Sequence, residues 1–261
     1  MSQALHIAKT GLEAQDKRMS VVSNNLANVN TTGFKKDQVS FNDLMYQSVE
    51  QAGAAATQTT QLPSGMNIGT GVRTAGTEKI FSQGNINQTD NSLDLAIDGG
   101  GFFQVQQQNG ELAYTRDGSF QLNAEGELVT SRGQRLQPNI TIPEDAESVT
   151  VGQDGTVSVQ LPGNAQATEV GTIELASFTN PAGLEPIGGN LLTETGASGA
   201  PQTGTPGLDQ FGSVMQGALE SSNVNIAEEL VSMIETQRAF ETNTKAVSTT
   251  DQMLQFVTQN L

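Results

Sequence analysis

The sequence predicts an α+β fold, with long N- and C-terminal helices paired in a coiled-coil-like domain and an antiparallel all-β domain inserted between them. Apolar residues recur at seven-residue spacing near both ends, which is typical of helices that pack on other helices. Between the ends the apolar period changes to two. The predicted domains are residues 1–36 plus 218–261 for the helical part, 37–79 for an extended linker or arm, and 80–217 for the β-rich part.

The N-terminal helix is predicted from about Ser2 to Asn28. Its main apolar column contains Leu5, Leu12, Met19 and Leu26, and Val22 lies in a second column beside it. Gly33 is a good stop signal, because glycine adopts the left-handed conformation that commonly ends a helix.

The C-terminal helix is predicted over residues 224–261. Its apolar column contains Ile226, Met233, Phe240, Val247, Leu254 and Leu261. At a rise of about 1.5 Å per residue, residues 5–29 span roughly 37 Å and residues 224–261 roughly 57 Å. Helices of this length at both ends favour pairing with each other and with copies of the same chain, so both columns are predicted to form helix packing between subunits.

Short strands with frequent turn signals are predicted from residue 80 to about residue 178. The candidate strands are Leu93–Ile97, Phe102–Val105, Ala113–Arg116, Ser119–Leu122, Val149–Val151, Thr156–Val159 and Thr172–Phe178. The turn pairs are Asn109-Gly110, Asp117-Gly118, Glu125-Gly126, Arg132-Gly133 and Asp154-Gly155. This density of strands and turns indicates an antiparallel β domain.

Residues 47–78 are low in complexity, and a structureless stretch of this length is unusual inside a compact domain. We interpret the segment as a linker or as an extended arm that lies on another subunit. Leu62, Pro63, Ser64 and Gly65 are the residues assigned to the arm.

Composition excludes several classes of protein. Apolar residues make up 35% of the chain and charged residues 15%, so subunits are expected to complete each other's cores. The net charge of −16 argues against nucleic acid, because no basic patch exists to neutralise phosphates. Residues 1–36 contain five basic and two acidic residues, and residues 220–261 contain two basic and six acidic ones. These opposite signs favour pairing of the two ends, within or between subunits.

No apolar run approaches the roughly 18 residues of a membrane span, and the first residues lack the pattern of a cleaved signal peptide. The protein is therefore expected to be either cytoplasmic or exported without a cleaved signal.

Candidate chemical sites are weak. His6 is a lone histidine on a helix, Gly99-Gly100-Gly101 is followed by a strand where a phosphate loop needs a helix, and Asp90–Asp94 lacks the calcium-loop pattern. We interpret them as a surface or interface residue, a tight bend and a solvated turn. No catalytic, cofactor-binding or metal-binding residue is predicted.

Two terminal motifs carry a family resemblance. Residues 10–14 and 21–35, Thr-Gly-Leu-Glu-Ala and Val-Val-Ser-Asn-Asn-Leu-Ala-Asn-Val-Asn-Thr-Thr-Gly-Phe-Lys, resemble the N-terminal signature of bacterial flagellar rod and hook proteins. Residues 217–225, 227–234 and 237–247 resemble their C-terminal signature. Within that family the match is closest to the members that form the distal rod.

The resemblance implies a structural subunit that polymerises into a hollow helical drive shaft, with the terminal helices around the channel and the β domain outside. It implies export through the flagellar type III apparatus and contact with proximal rod proteins, the hook or its junction, and the peptidoglycan and outer-membrane rings. Residues 47–70 resemble the extra segment that stiffens the distal rod. Polar residues of the motifs are expected to make assembly contacts: Asn24, Asn25, Asn28, Gln237 and Arg238.

Two alternatives remain open at this point. One is another axial protein of the flagellum, a proximal rod or hook subunit. The other is a hydrolase of cell-wall glycan, which would need paired carboxylates about 5–9.5 Å apart in a cleft.

Overall fold

The computed structural model describes residues 2–50, 64–163 and 166–259. It has an α-helix at each end, α1 (Ser2–Ala27) and α2 (Ile226–Gln259), and antiparallel sheets in between. The predicted α+β class, with terminal helices and antiparallel sheets, is confirmed. Neither described helix carries an apolar stretch of the length that a bilayer crossing requires.

The chain divides into two compact units. The described parts of residues 1–26, 37–78 and 226–261 form the helical unit, and those of residues 27–36 and 79–225 form the β unit. Each unit is built from separate stretches of the sequence, and both ends of the sequence belong to the helical unit. The domain boundaries predicted from the sequence stay a prediction.

The helical unit contains α1, α2 and two small sheets. Its strands are β1 (Asp37–Asp43), β2 (Tyr46–Glu50), β3 (Met66–Gly69) and β4 (Val72–Lys79). β1 pairs with β4, and β2 pairs antiparallel with β3, with Tyr46 opposite Gly69 and an irregularity between Ser48 and Glu50. The described ends of the predicted arm are therefore strands.

The β unit contains the remaining sixteen strands. They are β5 (Ile86–Gln88), β6 (Leu95–Asp98), β7 (Phe102–Gln106), β8 (Leu112–Thr115), β9 (Phe120–Leu122), β10 (Leu128–Thr130), β11 (Arg135–Gln137), β12 (Ser148–Val151), β13 (Thr156–Gln160), β14 (Thr168–Thr172), β15 (Leu175–Ser177), β16 (Glu185–Gly188), β17 (Leu191–Thr193), β18 (Gln202–Gly204), β19 (Ser213–Gln216) and β20 (Ala218–Glu220).

The largest sheet has nine strands in the order β16-β17-β8-β7-β11-β10-β9, and β15 bridges β7 and β18. Smaller sheets join β12-β13-β14, β19-β6 and β20-β5. Four of the predicted turn pairs connect consecutive strands that pair with each other, and their glycines, Gly110, Gly126, Gly133 and Gly155, all have positive φ. The turn chemistry therefore predicted these hairpin connections correctly.

Side chains on both faces of the large sheet are buried. Successive residues of a strand point to opposite faces, so Phe103 joins the main aliphatic core and Phe102 joins a second, aromatic cluster. Phe103 packs edge-to-face on Phe120 at 5.2 Å between ring centroids, and Tyr114 packs on Phe178 at 4.7 Å. The β unit thus has a complete core of its own.

Candidate functional site

α1 and α2 touch within the helical unit and run in opposite directions. Arg18 Nη2 lies 3.8 Å from Glu235 Oε2, while seven residues earlier on α1 the backbone of Gly11 approaches Asn243. A Cβ atom at Gly11 would lie 3.2 Å from Asn243 Nδ2, so a larger residue would push against α2 there. Glycine at this position lets the two helices approach closely without displacing the Asn243 side chain.

The predicted apolar columns are only partly covered within one chain. Val22 is buried, whereas Ile226 and Phe240 are 49% and 42% exposed. Half-buried positions are Leu5, Leu12, Met19, Leu26, Met233 and Val247. The Leu254 side chain and Leu261 lie outside the described residues.

A polar column on α2 was missed by the sequence reasoning. Glu229 and Thr236 are buried, and Asn243 and Thr250 are half-buried, at the same seven-residue spacing. The seven-residue spacing is visible in the sequence, but polar residues at that spacing do not by themselves indicate a buried side of a helix. As a result, much of the apolar surface of α2 is left exposed in the single chain.

Asn25 is the best-defined of the predicted polar assembly residues. Its side chain is buried, donates to the Asp37 carbonyl at 2.9 Å and accepts from the Asp37 amide at 2.9 Å. Asn24 Nδ2 lies 3.4 Å from a carboxylate oxygen of Asp37. The two bonds of Asn25 hold the start of β1 against the last turns of α1.

The other predicted polar residues lie as follows. Asn28 accepts a hydrogen bond from the Thr31 hydroxyl at 3.2 Å in the turn after α1. Gln237 and Arg238 are exposed on α2. Contacts of any of these residues with another subunit stay a prediction.

The predicted stiffening arm is described only in part. Leu62 and Pro63 lie outside the described residues, Ser64 is exposed and Gly65 is half-buried. Beside them, strands β2 and β3 and the residue before β2 present large apolar side chains to solvent, with Met45 87% and Tyr46 60% exposed. Val49 and Met66 are exposed to a similar degree.

The two terminal sequence motifs meet inside the β unit, around the carboxylate of Glu220. Glu220 is 1% exposed and accepts from Lys35 Nζ at 2.5 Å, from the Gly84 amide at 2.8 Å and from Arg116 Nη1 at 3.4 Å. Lys35 also donates to the Ser82 carbonyl at 2.8 Å. One buried carboxylate therefore joins four distant parts of the chain; we call this group the motif junction.

Backbone hydrogen bonds surround the motif junction. The Gly33 amide donates to the Glu220 carbonyl at 2.8 Å. Asn223 accepts from the Lys36 amide at 2.8 Å and donates to the Ile80 carbonyl at 2.8 Å. Gly33 has φ +67°, and a Cβ there would lie 2.6 Å from the Asp117 amide nitrogen. Only glycine fits at position 33 without backbone strain or a clash.

The junction buries two cations with one anion. Burial lowers the pKa of Lys35, and its bond to Glu220 opposes that shift. Burial likewise lowers the pKa of Arg116, against the attraction of Glu220. The Arg116 guanidinium lies 5.3 Å from the Phe102 ring centroid and donates to the Gly99 carbonyl at 2.8 Å. The structure has the predicted bend at Gly99. The carbonyl of this bend accepts the hydrogen bond from Arg116.

Acidic candidates elsewhere are structural. In the predicted turn at residues 90–94, the Asp94 carboxylate accepts from the side chains of Thr89 at 2.7 Å and Asn91 at 2.9 Å. The part of the chain that the structure describes contains no group of three or more His, Cys, Asp or Glu side chains able to hold a metal ion.

Comparisons with known proteins match three stretches of the chain to flagellar families. Residues 5–35 match the flagella basal body rod protein family, residues 96–159 the D1 domain of the flagellar hook protein FlgE/F/G, and residues 215–260 the C-terminal family of flagellar basal body rod FlgEFG proteins. The first and third stretches contain Lys35, Glu220 and Asn223 of the motif junction.

Full-length relatives agree with these matches. The chain is 54% identical to a flagellar basal-body rod protein FlgG of Buchnera aphidicola subsp. Schizaphis graminum, over 99% of this chain and 100% of the relative. It is 46% identical to FlgG of Borreliella burgdorferi over 97% of each chain, and 36% identical to FlgF of Caulobacter vibrioides over 100% of this chain and 98% of the relative. The chain belongs to the family of flagellar basal-body rod proteins.

Proposed function

We propose that the chain is a structural subunit of the flagellar distal rod, which polymerises into a hollow helical drive shaft and transmits torque from the motor to the hook. The relatives named FlgG at 54% and 46% identity support the distal rod as its place. The role is structural and not catalytic.

One observation supports polymerisation directly. Among the described residues of the helical unit, only Ala14 and Val22 are buried apolar side chains. The same unit exposes large apolar residues on α2, on strands β2 and β3 and just before β2: Met45, Tyr46, Val49, Met66, Ile226, Leu230, Val231, Ile234, Phe240, Met253 and Phe256. Apolar surface of this extent is typical of protein interfaces. In a polymer, neighbouring copies of the chain cover this apolar surface.

The finer parts of the proposal follow the family resemblance. α1 and α2 form the coiled-coil-like inner layer around the channel, and the β unit, inserted between them, forms the outer layer. The subunit leaves the cell through the type III export apparatus without a cleaved signal peptide. It then lies in the basal body across the periplasm and outer membrane, between proximal rod proteins and the hook or its junction, inside the ring proteins.

The test is complementation of a motile strain that lacks its distal rod subunit. Supplying this chain should restore swimming, and isolated basal bodies should show a straight rod of normal length. Secretion of the chain without any rod would contradict the proposal.

The arm is tested in the same strain. Replacing residues 47–70 with a Gly/Ser segment of equal length keeps the chain length and removes the side chains. We expect export to continue and the rod to become curved or flexible. Straight rods and normal swimming would show that these residues do not stiffen the shaft.

A second candidate is another axial subunit, which the 36% identity to FlgF favours. Supplying the chain to strains that each lack one axial protein separates the two. Restoration only where the distal rod subunit is missing supports the first proposal, and restoration elsewhere supports the second.

A further inference from the structure

Two methionines are exposed in the small sheet of β2 and β3. Met45 directly precedes β2 and is 87% exposed, the highest value among the large apolar side chains that the structure describes. Met66 begins β3 and is 55% exposed. In the register of the sheet Met66 lies opposite Glu50, at the far end of β2 from Met45. The two thioethers therefore lie at opposite ends of one small sheet.

The fold holds Met45 in its exposed position. The Leu44 amide donates to the Gly71 carbonyl at 2.9 Å, and the Thr70 hydroxyl donates to the Met45 carbonyl at 2.6 Å. The next residue, Tyr46, begins β2. Hydrogen bonds thus fix the backbone on both sides of this side chain, so its exposure is a property of the folded chain.

Methionine is the sulfur group that this chain offers to an oxidant, because the chain contains no cysteine. A peroxide transfers one oxygen atom to the thioether: an S–O bond forms, the O–O bond breaks, and hydrogen peroxide leaves as water. The sulfur is oxidised by two electrons and the peroxide is reduced by two. The product, methionine sulfoxide, is polar where methionine was apolar.

We infer that Met45 and Met66 form a modification site, at which oxidation by peroxides to methionine sulfoxide prevents the subunit from joining the polymer. Tyr46 and Val49 lie between them along β2 and are 60% and 56% exposed. A neighbouring copy that covers these apolar side chains also covers the methionines. A sulfoxide oxygen buried there loses its hydrogen bonds to water, which opposes the contact.

Oxidation and assembly then exclude each other. A free subunit offers both methionines to the oxidant, whereas an assembled subunit buries them. Oxidation therefore acts on subunits before they join, and polymer that already exists resists it. Methionine sulfoxide reductases reverse the modification, so the block is not permanent. This inference rests on the proposed function, in which copies of the chain cover the apolar surface.

The test treats the purified full chain with hydrogen peroxide, either before or after polymerisation, and locates sulfoxides by mass spectrometry. In the free chain, Met45 and Met66 should oxidise before the half-buried Met19 and Met233, and in the polymer they should be protected. Treatment before polymerisation should raise the concentration needed for polymerisation roughly tenfold. Incubation with methionine sulfoxide reductases A and B should restore the original value. Equal oxidation of Met45 and Met66 in the free and polymerised chains overturns the inference.

A variant assigns the effect to these two positions. Met45→Leu with Met66→Leu nearly conserves side-chain volume, so the chain should polymerise as before and should keep doing so after the same dose of peroxide. The matched control is Met215→Leu with Met253→Leu, which replaces two methionines that are 39% and 54% exposed elsewhere. The control should stay as sensitive as the native chain. Equal sensitivity of the Met45→Leu, Met66→Leu chain overturns the assignment.

The outcomes separate this inference from the proposed function. A native chain that polymerises and is insensitive to peroxide overturns the modification site and leaves the rod proposal standing. A native chain that does not polymerise without any treatment overturns both. If only the Met45→Leu, Met66→Leu chain does not polymerise, the comparison of oxidation in the free and polymerised native chain decides.

Discussion

The helical unit and the β unit use their apolar residues in opposite ways. In the β unit, side chains such as Phe103, Leu136 and Val157 are fully buried and the chain completes its own core. In the helical unit, the buried side chains among the described residues of α2 are Glu229 and Thr236, whereas Ile226, Leu230, Val231 and Ile234 are exposed. One unit is therefore built to be stable alone and the other to be completed by neighbours. The same substitution should then affect folding in one unit and assembly in the other.

The largest expected effect on folding is at the motif junction. Glu220→Ala leaves Lys35 and Arg116 buried without their carboxylate, and breaking such a buried pair typically costs about 3–5 kcal/mol. Urea unfolding followed by the near-ultraviolet circular dichroism of Tyr114 would measure the loss. Glu185→Ala, on the exposed strand β16, is the matched control and should change stability by less than about 0.5 kcal/mol. Equal effects at both positions would show that the junction does not stabilise the β unit.

A smaller effect is expected where the helical unit does hold itself together. Asn25→Ala removes two hydrogen bonds to the backbone of Asp37, worth together about 1–3 kcal/mol. Faster hydrogen exchange of the Asp37 amide in the dilute monomer would report this loss locally. Ser23→Ala, an exposed neighbour on α1, should leave that exchange rate unchanged. An unchanged rate in Asn25→Ala would contradict the role given to Asn25.

A conservative substitution made in both units sharpens the comparison. Ile173→Val deletes a methyl group from a side chain with 0% exposure and should cost about 0.5–1.5 kcal/mol of monomer stability. Ile234→Val, at 50% exposure, should change monomer stability by less than about 0.5 kcal/mol and should weaken polymerisation instead. Denaturation of the monomer and the critical concentration of the polymer measure the two effects. If Ile234→Val lowered the stability of the monomer more than Ile173→Val does, the roles assigned to the two units would be wrong.

The smallest expected effect concerns acid. Hydrogen bonds from Asn139 and then Asn123 lower the pKa of Glu127 below its usual 4.5. A carboxylate with a lowered native pKa stabilises the fold at pH values above 4.5, and this contribution disappears as the pH falls through the native pKa. Glu127→Gln should therefore be less stable than the native chain near neutral pH, and the difference should shrink below pH 4.5. A difference that does not change with pH would exclude this linkage.

Local patterns predicted the helices and hairpins well. Both predicted ends of α1 and the predicted start of α2 lie within two residues of those observed, and Asn109-Gly110 and Asp154-Gly155 marked real turns. β10 and β11 were not predicted, whereas β9, which also has three residues, was predicted as part of Ser119–Leu122. The most accurate predictions came from patterns of residues that are close together in the sequence.

Contacts between residues that are far apart in the sequence were not predicted. Lys35 and Glu220 both lie in recognisable motifs, but nothing in either motif says that the other is its partner. Arg116 looked like an ordinary residue before a turn. The column of Glu229, Thr236 and Asn243 was regular but polar, and only the structure shows that this side of α2 is the covered one.

The motif junction also sets the order in which the chain can fold. Lys35 and Glu220 are 185 residues apart. Closing such a loop in an otherwise unstructured chain costs roughly 4–5 kcal/mol of conformational entropy, and contacts of this range slow folding. Because a chain is synthesised from its N-terminus, Lys35 has no partner until residue 220 has also been made. The junction therefore forms late, after the strands that lie between its two ends in the sequence are available to fold.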